Sequence, residues 1–349
     1  MQLIVEDDYN LHEIPRTENQ QPLLISASIN IRNILEVDEK DQIVSMETTL
    51  RLYWKDPRIK PKYEALSSYD SRGNYTNLHS SLANTIWMPD IFLDHAKTIR
   101  TPTFFSKPAS LRVYNDSTIR YSARINFDVA CNMDFRNYPA DDQSCELKFQ
   151  SFGLQRSQVH FTWIPNSINV NEHIYLSQFV FRIHAMDSYS TDYYDISYPG
   201  LKLQLHLTRE IGYHIVQTYI PSTLFLVLGW MGLFINPDSI PGRVGMGTTT
   251  LLTQTSMFSS TRAHVPKVSY VTYLDVWMLF CMFFVFSTMV EFISILILIR
   301  QKRFKLAKKV QRLTRLTLPC IFMLFNLAYW PNVMYERWTG NHWAHNHIK

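Results

Sequence analysis

Between Arg243 and Arg262 the sequence reads VGMGTTTLLTQTSMFSS over residues 244–260, a stretch crowded with side-chain hydroxyls. Gly245, Thr249, Leu252, Ser256 and Ser259 fall three or four residues apart, so a helix places them on one face. Hydroxyls hydrate a passing ion, and a Leu among them supplies an apolar constriction that closes by excluding water. The chemistry on offer is ion passage. The other reading, a polar stripe against a neighbouring helix, leaves too many hydroxyls to account for. Residue patterns for covalent chemistry are absent: there is no GxxxxGK followed by Ser or Thr, no HExxH and no GxSxG, and the twelve histidines lack metal-ligand spacing. The chain reads as no enzyme, with no cofactor, no metal and no nucleic-acid partner.

The elements that position this stripe follow from hydropathy. A mean hydropathy of −0.13 hides a division. Residues 1–210 are polar and mixed in charge, whereas 211–235, 271–299 and the stretch around 316–330 each offer the ~20 apolar residues that cross a bilayer. The hydroxyl-rich stretch lies between the first two, too polar to face lipid. Residues 300–315 carry eight Lys or Arg and no acid, which places them in the cytoplasm and both termini outside. MQLIVEDDYN has neither a basic start nor a long apolar run, so no signal peptide is expected at Met1. The expected layout is a domain over 1–210, spanning helices at about 211–235, 241–263, 270–299 and 316–338, a basic linker over 300–315 and an outer tail over 339–349.

Period-2 patterns mark the amino-terminal domain as all-β. In METTLRLYW, Leu50, Leu52 and Trp54 share one face, and Thr49, Arg51 and Tyr53 the other. In RYSARINFDV, Tyr121, Ala123, Ile125, Phe127 and Val129 point one way, with Arg120, Ser122, Arg124, Asn126 and Asp128 opposite. Turn residues cluster between such runs, at Asp56-Pro57, Ser71-Arg72-Gly73-Asn74, Met88-Pro89-Asp90 and Tyr198-Pro199-Gly200. A two-sheet sandwich of about ten strands is expected. Cys131 and Cys145 are the only cysteines before residue 210, and an ordinary staple of a secreted domain is one reading of them. Asn74-Tyr75-Thr76 and Asn115-Asp116-Ser117 are glycosylation sequons. Cys281 and Cys320 sit in apolar segments and are expected to be buried thiols.

The stretch from Cys131 to Cys145, with Tyr138-Pro139 at its turn and Asp141 and Gln143 before the second cysteine, resembles the loop of the Cys-loop pentameric ligand-gated ion channels. The resemblance runs from about residue 22 to 338. It implies a Cys131–Cys145 disulfide and an extracellular β-sandwich followed by a four-helix transmembrane bundle, five subunits surrounding a central pore. It also implies an agonist held between subunits. One face would offer Phe92, Phe152, Tyr193 and Tyr198, whose rings attract an ammonium group by about 0.5–2 kcal/mol. The opposite face would offer Arg51 and Ser122, which match the residues that hold a carboxylate in the anion-selective branch. Gln150 stands where amine-binding relatives often carry a glutamate, which removes one anionic partner. Five copies of Leu252 would form the constriction, between rings of Thr249 and Ser256.

Ion sign is read at the inner mouth. In Ile240-Pro241-Gly242-Arg243 no acid stands beside the arginine, and Asp238 is the nearest; Pro241 resembles anion channels, although Gly242 replaces their usual Ala. A ring of Arg243 without carboxylates favours chloride. Asp141, Arg209 and Lys267, with Val37 and Asp38, are expected where the domains meet, as coupling or as scaffold. The basic linker is short beside that of the family. The expected function is a chloride channel of the plasma membrane, within lipid and in a postsynaptic setting, opened by a small amino-acid or amine agonist. Two alternatives stand beside it: a proton-gated or pH-modulated chloride channel, with His95, His184, His206, His214 or His264 titrating, and a nonconducting accessory subunit that requires partners.

Overall fold

The alternation read from residues 46–54 and 120–129 builds the centre of a β-sandwich in the computed structural model of the chain. The structure describes residues 3–5, 9–16, 21–61, 68–70, 73–103, 105–186, 188–263, 265 and 267–346, with the backbone alone for 3–5, 68–70 and 336–346. His264 and the turn residues Ser71 and Arg72 lie outside that set. Fifteen strands are described. They are β1 (Leu3–Val5), β2 (Leu23–Asp38), β3 (Ile43–Lys55), β4 (Ile59–Pro61), β5 (Ser68–Asp70), β6 (Gly73–Leu78), β7 (Ile91–Leu93) and β8 (Ala96–Arg100). After these come β9 (Ala109–Tyr114), β10 (Thr118–Ala130), β11 (Asp142–Ser151), β12 (Val159–Val170), β13 (Phe179–Ala185), β14 (Tyr189–Tyr193) and β15 (Ile196–Arg209). The count exceeds the ten expected because β1, β4, β5 and β7 have three residues each, too few to show a period.

The larger sheet orders β12-β2-β3-β10-β9-β6-β5, with β8 also on β10; the smaller orders β13-β15-β11-β7, with β14 on β15. A β1-β4 pair stands apart. Only the β12–β2 ladder is parallel among those described. Ile25, Ala27, Ile29 and Ile31 of β2 and Val44, Met46, Leu52 and Trp54 of β3 turn inward, against Leu147 and Phe149 of β11 and Leu201, Leu203, Leu205 and Leu207 of β15. Each residue is buried because its neighbour in sequence is not. The Cys131–Cys145 disulfide joins the end of β10 to β11, tying one sheet to the other.

Four helices follow. The first spans Gly212–Phe234, opening with a π turn over Ile215–Tyr219 and closing with a 3-10 turn over Gly232–Phe234. The second spans Ile240–Ala263, the third Tyr273–Arg300 and the fourth Phe304–Asn346. The first, third and fourth are long and apolar enough to cross a membrane. Their exposed residues are large and apolar, including Leu224, Leu228, Phe283, Phe286, Ile293, Leu324 and Leu327, as a lipid-facing surface requires. Polar hydrogen bonds and rings hold the helices together at their sandwich ends. Trp277 donates to the Ser222 hydroxyl (2.8 Å), Tyr219 and Tyr329 hydroxyls meet at 2.7 Å, and Phe280 stacks on Phe325 at 3.7 Å.

Three expectations are corrected. Residues 300–315 form no free linker: the chain turns over Gln301–Arg303, where Lys302 takes a φ of 61°, and re-enters a helix at Phe304. The reason lies in spacing, because Ala307, Val310, Gln311 and Thr314 turn to the bundle while Lys308, Lys309 and Arg312 stay outside. The same helix runs through the residues expected to form the tail, as far as Asn346. Cys320 is exposed rather than buried, since it shares the outward face of Leu324 and Leu327; Cys281 is buried as expected.

Candidate functional site

At the junction of the two domains Arg209, the last residue of β15, has only 1% of its surface exposed. Its Nε donates to Asp141 Oδ1 (2.7 Å), Nη2 to Asp141 Oδ2 (3.1 Å) and Nη1 to Glu39 Oε1 (2.6 Å). The guanidinium also lies over the rings of Tyr138 (4.7 Å) and Phe179 (4.6 Å). Burial alone would lower its pKa, but the two carboxylates together hold it above the ordinary value, so it stays charged. Asp141 and Arg209 are therefore together as expected. Lys267 is not: it is exposed and makes no hydrogen bond or ion pair among the described residues. Asp38 instead accepts from its own turn at Asp41 N (3.0 Å), Val37 is half-buried, and Glu39, which the sequence reading passed over, supplies the second carboxylate.

The loop between the two cysteines rests directly on the helices. Tyr273 N donates to Arg136 O (3.2 Å), Leu274 N to Tyr138 O (3.1 Å) and Phe135 N to Tyr270 Oη (2.9 Å). Tyr138 also packs its ring on His214 of the first helix, with centroids 5.0 Å apart. Thr272 caps the third helix with Asp275, and Asp275 pairs with Arg262 at the end of the second (3.2 Å). The loop thus touches the first and third helices and reaches the second through one ion pair.

The four expected aromatics form two pairs on or beside the smaller sheet. Phe92 and Phe152 meet edge to face at 5.8 Å, and Tyr193 and Tyr198 at 6.0 Å. Gln150 is opposite Phe92 on one side and Gly200 on the other. It is buried, and its Oε1 accepts from Tyr189 Oη (3.1 Å) and Thr191 Oγ1 (3.0 Å). The Gln150 carbonyl, a candidate ligand contact by its position, thus also braces the β14 hairpin. Burial pushes the Tyr189 pKa up to about 12, which keeps that hydroxyl a donor. Gly200 makes the brace possible: a Cβ there would stand 2.7 Å from the Tyr189 ring and 2.9 Å from Phe149 O. The signal for Tyr189 and Thr191 was their period-2 spacing in a short strand.

Arg51 and Ser122 lie directly opposite each other across β3 and β10, in a row that continues to Ser28 and Ser110. Arg51 Nε is buried and without a hydrogen-bond partner among the described residues. Arg120 Nε is likewise buried without a hydrogen-bond partner among the described residues, although its guanidinium lies over the Tyr53 ring at 5.9 Å. Arg51 and Ser122 belong to the larger sheet and the aromatics to or beside the smaller, and among the described residues no hydrogen bond or ring contact joins the two groups within one chain.

Along the second helix Gly245, Thr249, Leu252, Ser256 and Ser259 are all exposed, with Leu252 at 69%. Arg243, Gly247, Thr250 and Gln254 form the buried face. Thr250, Thr253 and Thr261 donate back to carbonyls four residues earlier, while the hydroxyls of Thr249, Ser256 and Ser259 have no partner among the described residues. The hydrogen-bonding capacity of the stripe is unused among the described residues. Pro241 is exposed at the helix start. Arg243 departs from expectation, since nine residues before Leu252 is half a turn out of phase. Its side chain points away from the stripe, and Nε donates to Ile235 O (2.9 Å) and Nη2 to Leu233 O (3.0 Å).

Two family profiles match this arrangement. Residues 1–211 match the neurotransmitter-gated ion-channel ligand binding domain, and residues 218–306 match the neurotransmitter-gated ion-channel transmembrane region. The chain belongs to the neurotransmitter-gated ion-channel family. It is a ligand-gated channel subunit and no enzyme: an extracellular ligand-binding sandwich on a membrane-spanning helical region, with the Cys131–Cys145 loop between them.

The described histidines of the receptor are dispersed. His95 is exposed beside Asp94 (3.3 Å), His214 is buried under Tyr138, and His184 and His206 face each other on β13 and β15 with centroids 5.9 Å apart. Burial, then repulsion from His184, holds the His206 pKa below its ordinary value.

Two outcomes follow from these contacts. Arg209→Gln leaves Asp141 buried without its cation, and the expected cost is about 3–5 kcal/mol. Thermal unfolding of the receptor in detergent reads it, and adding Asp141→Asn should recover part of the loss. For His206 the depressed folded pKa means that protonation favours the unfolded chain. Its contribution to stability is full above pH 6.5 and is lost as pH falls through the lower folded value. Melting temperature should therefore drop between pH 7.5 and 5, and His206→Gln should flatten the drop.

Proposed function

We propose that the receptor is a chloride-selective channel of five subunits, opened by a small amino acid bound between neighbouring sandwiches. The observation that carries the selectivity is the exposed face of the second helix, which presents hydroxyls and one leucine and no carboxylate. Five such helices begin at Ile240 near the inner mouth. Each brings the positive end of its dipole, about half a charge, to the ion path. Arg243 adds charge behind this face rather than on it. The eight cations of residues 300–315 support a cytoplasmic position for the ends of the third and fourth helices. Asn74 and Asn115 support the opposite side for the sandwich: both are exposed, and Asn115 N donates to Asn74 O (3.2 Å), so two glycans would share one edge.

Agonist chemistry rests on Arg51. A buried guanidinium nitrogen without a partner, beside the Ser122 hydroxyl, suits a carboxylate that arrives from outside. The aromatics Phe92, Phe152, Tyr193 and Tyr198 suit the ammonium at its other end. Because the two groups occupy different sheets, a neighbouring copy completes the site. Motion of the β14 hairpin then passes through Asp141, Arg209 and the loop at Tyr138 to the helices, as a change between two packings.

The test is the reversal potential of the expressed receptor in a sodium chloride dilution gradient. It should follow chloride, and tracking sodium would sink the reading. Leu252→Thr should make the constriction wettable and raise spontaneous current; an unchanged dose response without leak would show that the barrier lies elsewhere. Arg51→Ala should weaken a carboxylate-bearing agonist by about 1.5–3 kcal/mol, roughly 10- to 100-fold in half-maximal concentration.

A further inference from the structure

Behind the pore-lining helix the four helices meet in one polar cluster. Arg243 of the second helix donates to Leu233 O and Ile235 O at the end of the first. Arg315 of the fourth donates through Nε (3.0 Å) and Nη2 (2.8 Å) to the same Leu233 O, and Gln311 Nε2 reaches that oxygen too (3.2 Å). Glu291 of the third helix completes the set. Its Oε1 accepts from Thr314 Oγ1 of the fourth helix (3.0 Å), and its Oε2 stands 4.0 Å from Arg243 Nη1. Both of those facing atoms are buried and otherwise without a hydrogen-bond partner among the described residues. The cavity beside them, lined by Arg243, Thr288 and Phe292, has a volume of about 20 Å3 and so has room for about one water molecule.

A charge so placed acts on the ion path through its neighbours. Seen from the axis, Arg243 and Glu291 form a dipole whose potential falls off faster than that of a lone charge. Buried charges are screened by salt much less than exposed ones, so the compensation by Glu291 reaches the mouth as directly as the charge of Arg243. Arg315 brings the cluster to one net positive charge, which helix-end carbonyls further offset.

We propose that Glu291 is a specificity-determining residue of the channel, acting as a positioning residue that holds Arg243 behind the pore and cancels part of its charge at the inner mouth. The inference rests on the second helix lining the pore, and it assigns to the third helix a part in ion selection. Without Arg243 the cluster falls from one net positive charge to none, with Arg315 alone opposing each Glu291 carboxylate; without both, Arg315 and the helix dipoles remain.

The test compares Arg243→Gln, Glu291→Gln, the double variant and Glu291→Asp in the full-length receptor, reading the chloride-to-sodium permeability ratio, single-channel chloride conductance and surface labelling. Arg243→Gln should lower the permeability ratio, and adding Glu291→Gln should raise it again. Glu291→Gln alone should increase chloride conductance, while Glu291→Asp should keep the wild-type values. Equal ratios in Arg243→Gln and the double variant, or unchanged conductance in Glu291→Gln, would overturn the proposal. So would the failure of all neutralised variants to reach the surface while Glu291→Asp does, since that marks a folding role alone. Wild-type current that follows sodium would remove the chloride reading and leave the comparison between single and double variants intact.

Discussion

The structure turns on a charge that cannot be left alone. Arg209 is buried where the last strand of the sandwich becomes the first helix, and a guanidinium in that position is tolerable only with its carboxylates in place. Asp141 belongs to the loop closed by the disulfide and Glu39 to the turn after β2, so one cation fixes three segments that are distant in sequence. Tyr138, stacked on the same guanidinium, carries the loop onto Leu274 and His214. Sheet, loop and bundle share one electrostatic centre.

Much of this was legible in the sequence, to a depth set by how local each signal is. The period-2 faces of residues 46–54 and 120–129 correctly placed Arg51 and Ser122 on one side of adjacent strands, although their direct opposition depends on register. The hydroxyl stripe was legible for the same reason, since helical spacing alone brings Gly245, Thr249, Leu252, Ser256 and Ser259 to one face. The identity of Glu39 was not. Adjacent acids at Asp38 and Glu39 look alike in a turn, and only packing decides which one reaches Arg209. Arg243 misled because a terminal arginine invites a solvent-facing reading, whereas its phase relative to Leu252 already pointed inward. Basic composition likewise suggested a linker at 300–315, but long basic side chains coexist with a helix whose other face is buried.

The membrane region divides its polar groups into two kinds. Hydroxyls of Thr250, Thr253 and Thr261 are spent on their own helix, and Arg243, Glu291 and Arg315 are gathered where all four helices meet. Thr249, Ser256 and Ser259 remain available. In hydrocarbon each unsatisfied group costs several kcal/mol, so a row of open hydroxyls favours a surface turned away from lipid. The aromatic packing of Trp277, Tyr219, Phe280, Phe325 and Tyr329 holds the other three helices in a shape that leaves this row uncovered.

The parallel ladder between β2 and β12 has a consequence for how the chain is made. β2 sits between β3 and β12, and Leu23 pairs with Val159 and Ile31 with Val170. At synthesis rates of about 5–20 residues per second, the second edge of β2 waits on the order of ten seconds for its partner to emerge. During that interval an apolar strand bearing Ile25, Ile29 and Ile31 has an open backbone edge, the kind of template that recruits neighbouring nascent chains. That edge stays open until residue 170 has been translated, so the order of synthesis, and not the strength of the ladder, sets how long it is exposed.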